Sequence, residues 1–270
     1  MNTEVQKQES QVPSTQVHAA IGQEEILKSD IILPKFMLMQ ALSDHVKKRR
    51  AQAGDIVKNT TGEKVGGEGS PLLFIPLTYQ NLWMLSEDTK GKGNKTDFEF
   101  RGYEERNALN ENAEWDFIQN DKPWKRTKVV NVYALLPAEL EKMAEAVKKF
   151  EESGELDLGA NVLPTVIQFR NSSFKAGKSV IDLFVKARDM SARVNREVPA
   201  YSSTLQLEAV TENNGEHDYY VFNVKPASAT KKEYLPECKR WREFIIQLGG
   251  NVKINESEAG ETAGDQEVPF

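Results

Sequence analysis

A chain of 270 residues with 39% hydrophobic and 28% charged residues can build a core and is not disordered throughout. No apolar run approaches the roughly 20 residues of a membrane span, the polar N-terminus has no secretory h-region, and the single cysteine, Cys238, rules out an internal disulfide and fits a reducing cytoplasm. The net charge of −6 is unevenly spread: residues 1–30 carry −3 and residues 251–270 carry −4, which leaves a body of +1 that can hold a basic groove if its acids lie elsewhere.

Residues 1–25 are rich in Gln, Ser, Glu and Thr without periodicity and are expected to form a flexible arm. Ordered structure is expected to start at Ile31-Ile32-Leu33-Pro34, where Pro34 disfavours helix at Leu33. Residues 36–42 are apolar enough to pack and lead into the basic run Lys47-Lys48-Arg49-Arg50. Residues 59–69, rich in Gly and Thr, read as a loop. Residues 72–77 form a strand candidate, and 90–95 a basic, glycine-rich hairpin tip. Phe98 and Phe100 alternate as on a half-buried strand, and residues 129–136 are the strongest strand of the first half.

Pro137-Ala138-Glu139 opens a helix whose apolar stripe is Leu140, Met143, Ala144, Val147 and Phe150, with Gly154 as its stop. Residues 163–170 form another strand, and Ser172 or Ser173 can cap the helix that follows. That helix carries Phe174, Gly177, Val180, Ile181, Phe184 and Val185 on one face. Residues 203–211 and 219–225 alternate around Asn214-Gly215, a hairpin signal. A last helix near residues 233–248 aligns Leu235, Cys238, Trp241, Ile245 and Leu248 and stops at Gly249-Gly250. The expected architecture is mainly β, in the α+β class: residues 26–250 as one OB-like antiparallel β-barrel with inserted and flanking helices. A generic α+β sheet fits nearly as well.

Single-strand binders combine aromatic platforms with a basic track. Two stretches interleave these types: Lys92, Lys95, Phe98, Phe100, Arg101 and Tyr103, and then Trp115, Phe117, Lys122, Trp124, Lys125, Arg126 and Lys128. Phe98 and Phe100 can equally be core. Trp124 is the stronger platform candidate, because Pro123 and Lys125-Arg126 give it polar, loop-like surroundings, although a buried Trp at a barrel end competes. Arg170, Lys175 and Lys178 surround a strand-to-helix turn that could face a phosphate or simply be a solvated first turn. Ala176-Gly177-Lys178-Ser179 is no P-loop, since Ser172 stands where the pattern needs Gly. His18, His45 and His217 lack metal-ligand spacing, and Cys238 reads as a core thiol. No catalytic set and no cofactor site is expected.

The tail is acidic, with Glu256, Glu258, Glu261, Asp265 and Glu267, and then turns apolar at Val268-Pro269-Phe270. Phe270 suits an apolar pocket, Pro269 lowers the entropy lost on docking, and Asp265, Glu267 and the terminal carboxylate suit a basic rim. Glu267-Val268-Pro269-Phe270 resembles the Asp-Ile-Pro-Phe tip of bacterial single-stranded DNA-binding proteins. An arm, an OB-like body and an acidic tail ending in Phe also resemble the plan of phage-encoded members of that class. The resemblance implies binding of single-stranded DNA in replication, recombination or repair, with the tip recruiting partner proteins and competing with DNA, in the cytoplasm of a bacterial host. It implies no enzyme and no membrane, and oligomers are compatible with it. The alternatives are a strand-annealing recombination protein and an accessory protein whose tail docks a host factor without touching DNA.

Overall fold

The computed structural model describes residues 32–87 except 42, residues 99–248 except 120, 156, 158 and 161, and the pair 253–254. Among them the strands are β1 (Ile32–Leu33), β2 (Lys35–Leu38), β3 (Asp55–Lys58), β4 (Lys64–Gly67), β5 (Leu72–Glu87), β6 (Glu99–Glu105), β7 (Asp116–Gln119), β8 (Lys122–Leu135), β9 (Thr165–Arg170), β10 (Ser203–Asn213), β11 (Asp218–Ala229) and β12 (Lys253–Ile254). The helices are α1 (Asp44–Lys47), α2 (Pro137–Ser153), α3 (Phe174–Val194) and α4 (Leu235–Gln247).

One sheet runs in the order β11-β10-β5-β8-β9-β2-β3-β4, with β6 added to β5 and β7 added to β8. Its long members are β5 and β8, which pair antiparallel from Ile75↔Leu135 to Glu87↔Trp124, with one register shift between Pro76 and Thr78. Each changes its outer neighbour along its length. β5 pairs with β10 over Leu72–Phe74 and with β6 over Leu82–Glu87. β8 pairs with β9 over Val129–Ala134 and with β7 over Lys122–Lys125. The body of the sheet therefore continues into a four-stranded arm, β6-β5-β8-β7, made from the far ends of the same two strands.

The sheet is mixed, not wholly antiparallel as the alternating pattern predicts, because β2 lies parallel to β9. It is also strongly curled. The Gln40 side chain beyond β2 donates from Nε2 to the Tyr220 carbonyl (2.8 Å) and accepts at Oε1 from the Tyr220 N–H (3.0 Å) on β11. One primary amide thus copies a peptide group and ties the two limbs of the curl. Gly54 (φ +87°) lies under the Tyr220 ring, where an added Cβ would sit 2.7 Å from it. Glu68 accepts from the Thr211 and Tyr220 hydroxyls across the same seam.

Period-two alternation gives the sheet two apolar faces. On one, Phe74, Val130, Val132, Ala134, Ile167, Phe169, Leu205 and Leu207 bury themselves against Ala176 and Val180 of α3. Gly177 lets that helix approach, since a Cβ there would come within 2.8 Å of Phe169 Cβ. On the other, Ile75, Leu77, Tyr133 and Leu135 pack against Cys238, Trp241 and Ile245 of α4 and Leu140 of α2. Gly154 caps α2 in the left-handed conformation (φ +72°), its N–H donating to the Phe150 carbonyl. The β10–β11 hairpin closes at Asn214-Gly215, where Asn214 Oδ1 accepts from the N–H groups of Glu216 and His217.

Several expectations change. The segment 59–69 contains β4, whose Gly66 and Gly67 pair with Ile56 and Asp55. The strand expected at 72–77 extends to Glu87. Neither Ser172 nor Ser173 caps α3: a 3-10 turn, Asn171–Ser173, leads into the helix, and Ser173 Oγ instead accepts from the Phe222 N–H on β11 (2.9 Å). Within the segment read as tail, Lys253 and Ile254 pair in parallel with Ile32 and Leu33. Residues 1–25, the hairpin tip 90–95 and Phe98 lie outside the described residues. No helix among those described is long and apolar enough to cross a membrane.

Burial holds two acidic protons tightly. Desolvation, with the neighbouring Glu237 charge, pushes the Cys238 thiol from 9.0 up to about 12, and burial pushes the Tyr133 phenol from 10.0 up to about 12. The folded chain keeps protons that the unfolded chain loses, so this contribution to stability is complete below about pH 9 and is lost as pH rises towards about 12. Urea midpoints measured against pH should begin to fall near pH 9 in the native chain. In Cys238→Ala the fall should begin nearer pH 10, where Tyr133 takes over.

Candidate nucleic-acid interface

The arm places every second residue of its strands on one face, and register decides which. Trp83 of β5 stands opposite Lys128 of β8, Leu85 opposite Arg126, and Glu87 opposite Trp124. Phe117 of β7 stands on the far side of Trp124. Trp124, Arg126 and Lys128 therefore share a face with Trp83 and Phe117, and Lys125 falls on the opposite face, across from Ser86 and Asp116.

On this shared face aromatic rings and cations interleave in two runs, one from Lys178 to Trp115 and one from Arg126 to Trp124. Lys178 Nζ lies 5.6 Å from the Phe174 ring, and the Arg106 guanidinium lies 5.3 Å from Phe174 and 5.9 Å from Trp83. Lys128 Nζ lies 5.4 Å from Trp83 and 5.8 Å from Trp115, while the two indoles meet edge-on at 6.0 Å. Arg126 sits 4.0 Å over Phe117, which stacks on Trp124 at 6.3 Å and 21°. Each cation–π contact contributes about 0.5–1 kcal/mol at an exposed site, so the ladder holds its own side chains in place.

The rings of Trp83, Trp115, Phe117 and Trp124 differ in exposure. Trp83 is fully buried and donates from Nε1 to the Asn110 carbonyl at 3.2 Å. Trp115 is 53% exposed, and Phe117 and Trp124 are half-buried. Trp83 is thus the floor, Trp115 is the most exposed ring, and Phe117 and Trp124 are partly exposed, stacked on each other with Arg126 over Phe117. Carboxylates limit the local charge: Glu104 pairs with Arg126 (3.4 Å), and Glu111 pairs with Lys128 (3.3 Å) and Arg106 (3.7 Å). Such surface pairs contribute little to stability and are screened by salt.

The remaining expected residues fall elsewhere. Tyr103 lies on the opposite face of the arm, where its hydroxyl accepts from Gln168 Nε2 at 2.6 Å. Arg170 also belongs to that side, opposite Val129, with Nη1 at 3.4 Å from the Met84 sulfur. Lys175 and Lys178 are exposed on the first turns of α3, and only Lys178 joins the ladder, through Phe174. Phe100 and Arg101 lie in β6. Lys92, Lys95 and the tip residues Asp265, Glu267, Val268, Pro269 and Phe270 lie outside the described residues.

Trp124 is not in a loop, as its neighbours suggest. Lys122, Pro123 and Trp124 belong to β8, and Pro123 is tolerated near the strand's start, where among the described residues it is paired with the short β7 alone. Trp83 and Arg106 are absent from the expected site. The alternation of Tyr79, Asn81, Trp83 and Leu85 was the readable signal for Trp83. Nothing local marks Arg106, whose position follows from the turn after β6. Among the described residues, no group of His, Cys, Asp and Glu could hold a metal ion.

The floor and the platforms should separate on mutation. Trp83→Ala should cost about 3–5 kcal/mol, as a buried aromatic truncation does. Trp115→Ala should cost under about 0.5 kcal/mol, as an exposed substitution does. Urea denaturation of the two variants beside the native chain checks this.

Comparison with known proteins gives a family match. The model of the family described as Pam3 phage gp34-like protein matches residues 4–248, and the chain belongs to that family. No curated protein and no solved structure matches significantly.

Proposed function

We propose that this member of the Pam3 phage gp34-like family binds single-stranded DNA, with little sequence preference, on the aromatic face of its β-arm. The observation that carries the reading is the run Trp115, Phe117 and Trp124, exposed or half-exposed and interleaved with Arg126 and Lys128. Bases stack on such rings whatever their identity, for about 1–3 kcal/mol each, while cations between the rings meet the phosphates. In this reading the curled sheet acts as an OB-like support, and the arm rather than a closed barrel groove presents the strand.

Charge refines the mechanism. Arg106, Arg126 and Lys128 already pair with Glu104 and Glu111, so a strand must displace carboxylates to reach them. Stacking then supplies the larger share of affinity, and the salt dependence is shallow. Each phosphate contact adds about −0.7 to the slope of log K against log salt, so few net contacts mean a small slope. The tail supports a second part of the proposal: Val268-Pro269-Phe270 recruits a replication or repair protein, and the surrounding acids repel the strand, in the cytoplasm of a phage-infected host.

Fluorescence anisotropy with a labelled oligothymidylate of about 30 nucleotides tests this at about 50 mM salt. Trp115→Ala and Trp124→Ala should each weaken binding by about 5- to 150-fold, the equivalent of 1–3 kcal/mol. Deleting Val268 to Phe270 should leave DNA affinity unchanged or raised and abolish partner capture. Absence of binding by the native chain at low salt, or indifference to both tryptophan variants, would sink the reading. Rings or filaments on DNA in electron micrographs would instead favour strand annealing.

A further inference from the structure

The basic run Lys47-Lys48-Arg49-Arg50 closes α1 and has no part in the aromatic face. Val46 of α1 packs with Met37, Met39 and Val57. Met37 and Val57 stand opposite each other and alternate with Phe36 and Ile56, which belong to the core under α3. The run therefore sits on the face of the sheet opposite α3, whereas Trp124, Arg126 and Lys128 lie on the side of α3.

Three observations set the run apart from an ordinary solvated turn. First, α1 ends in a Schellman motif: the Arg50 N–H donates to the His45 carbonyl (2.8 Å) and the Arg49 N–H to the Val46 carbonyl (3.0 Å). That motif favours glycine where Arg49 stands, at φ +57°, and an apolar residue where Arg50 stands. Local stability disfavours both arginines, and backbone outliers of this kind gather at functional sites. Second, the cations are not neutralised. Lys48, Arg49 and Arg50 are exposed, and among the described residues no carboxylate pairs with any of them. In the arm, by contrast, Glu104 and Glu111 hold the cations. Third, a concavity of about 670 Å³ opens beside the run, with Arg49, Arg50 and Lys64 in its lining. The one acid in that lining, Asp55, is already satisfied: Oδ1 meets Lys64 Nζ at 2.6 Å, and Oδ2 accepts from the Gln52 N–H at 2.8 Å. Glu68, whose N–H donates to the Gly54 carbonyl next to Asp55, turns its carboxylate to the Thr211 and Tyr220 hydroxyls. No aromatic residue lines the concavity.

Cations without rings can hold a polyanion by its phosphates but cannot stack its bases. Such a surface suits a duplex, whose bases are already stacked and whose phosphates face outward, one charge per about 1.7 Å of axis. The planar guanidinium fork of Arg meets phosphate oxygens in pairs. We propose that this patch, with Arg49 and Arg50 at its centre, binds the phosphate backbone of duplex DNA without sequence preference. The chain then carries a duplex surface on one side of its sheet and the aromatic arm on the other. The patch stands independently of strand binding by the arm.

Fluorescence anisotropy of the full chain with a labelled blunt duplex of about 20 base pairs, between about 20 and 200 mM salt, tests the proposal. Each phosphate contact adds about −0.9 to the slope of log K against log salt, so contacts from Lys48, Arg49 and Arg50 give a slope near about −3. Lys48→Gln, Arg49→Gly and Arg50→Gln together should weaken the duplex at least about tenfold at low salt and flatten the slope towards zero. Arg49→Gly alone should reduce the slope by about 1 and raise the urea midpoint, because glycine relieves the left-handed position. Weaker binding by a more stable chain is not a folding defect. Trp115→Ala and Trp124→Ala should leave duplex binding unchanged, whatever they do to oligothymidylate. The proposal is overturned by no duplex binding at low salt, by indifference to the triple variant, or by loss of duplex binding in the two tryptophan variants, which would make the duplex a ligand of the arm. It is also overturned if a peptide of residues 251–270 binds the native chain more tightly than the duplex does and the triple variant abolishes that binding, which would make an acidic segment the ligand of the patch.

Discussion

The antiparallel ladder between β5 and β8 is the constraint on which the rest of this protein depends. Its inner half, from Ile75↔Leu135 to Leu82↔Val129, lies in the body between the two helical layers. Its outer half, from Trp83↔Lys128 to Glu87↔Trp124, is the spine of the arm. Since side chains alternate strictly along a strand, the register that buries Val130 and Val132 under α3 also puts Lys128, Arg126 and Trp124 on that same side. A slip of one residue would empty the core and turn the ladder of rings and cations to the other face. Core packing and the orientation of the candidate interface are thus fixed by one set of hydrogen bonds.

The curl follows from a second economy. Strands β2–β4 and β10–β11 are far apart in the sheet order, and they meet through side chains rather than a continuous ladder. Gln40 supplies one donor and one acceptor to Tyr220, Gly54 makes room for the Tyr220 ring, and Glu68 collects two hydroxyls. A side-chain seam of this kind satisfies the backbone of Tyr220 without forcing every strand into register. Burial of a polar backbone group demands such a partner.

Charge is distributed to match. The acids that give the chain its net −6 concentrate in the two ends, outside 31–250. In the arm, Glu104 and Glu111 keep Arg106, Arg126 and Lys128 nearly neutralised. Attraction at long range is therefore weak, and ring surface is the dominant asset of the face.

Much of this was legible from local pattern. Periodicity of 3.6 placed α2, α3 and α4, because Leu140, Val180 and Cys238 each recur on a single apolar stripe that a layer must cover. Alternation placed β10 and β11, and Asn214-Gly215 placed the hairpin between them, since few residues accept the required turn. The interleaving of Trp115, Phe117, Trp124, Arg126 and Lys128 was visible as well. What sequence could not decide is which of these share a surface. Lys125 and Tyr103 leave the group and Trp83 and Arg106 join it, because faces are set by pairing between strands distant in the chain. The parallel β2–β9 pair and the Gln40–Tyr220 bridge likewise arise only on folding. Local propensity determined the elements of this protein, and long-range register decided which of their side chains meet.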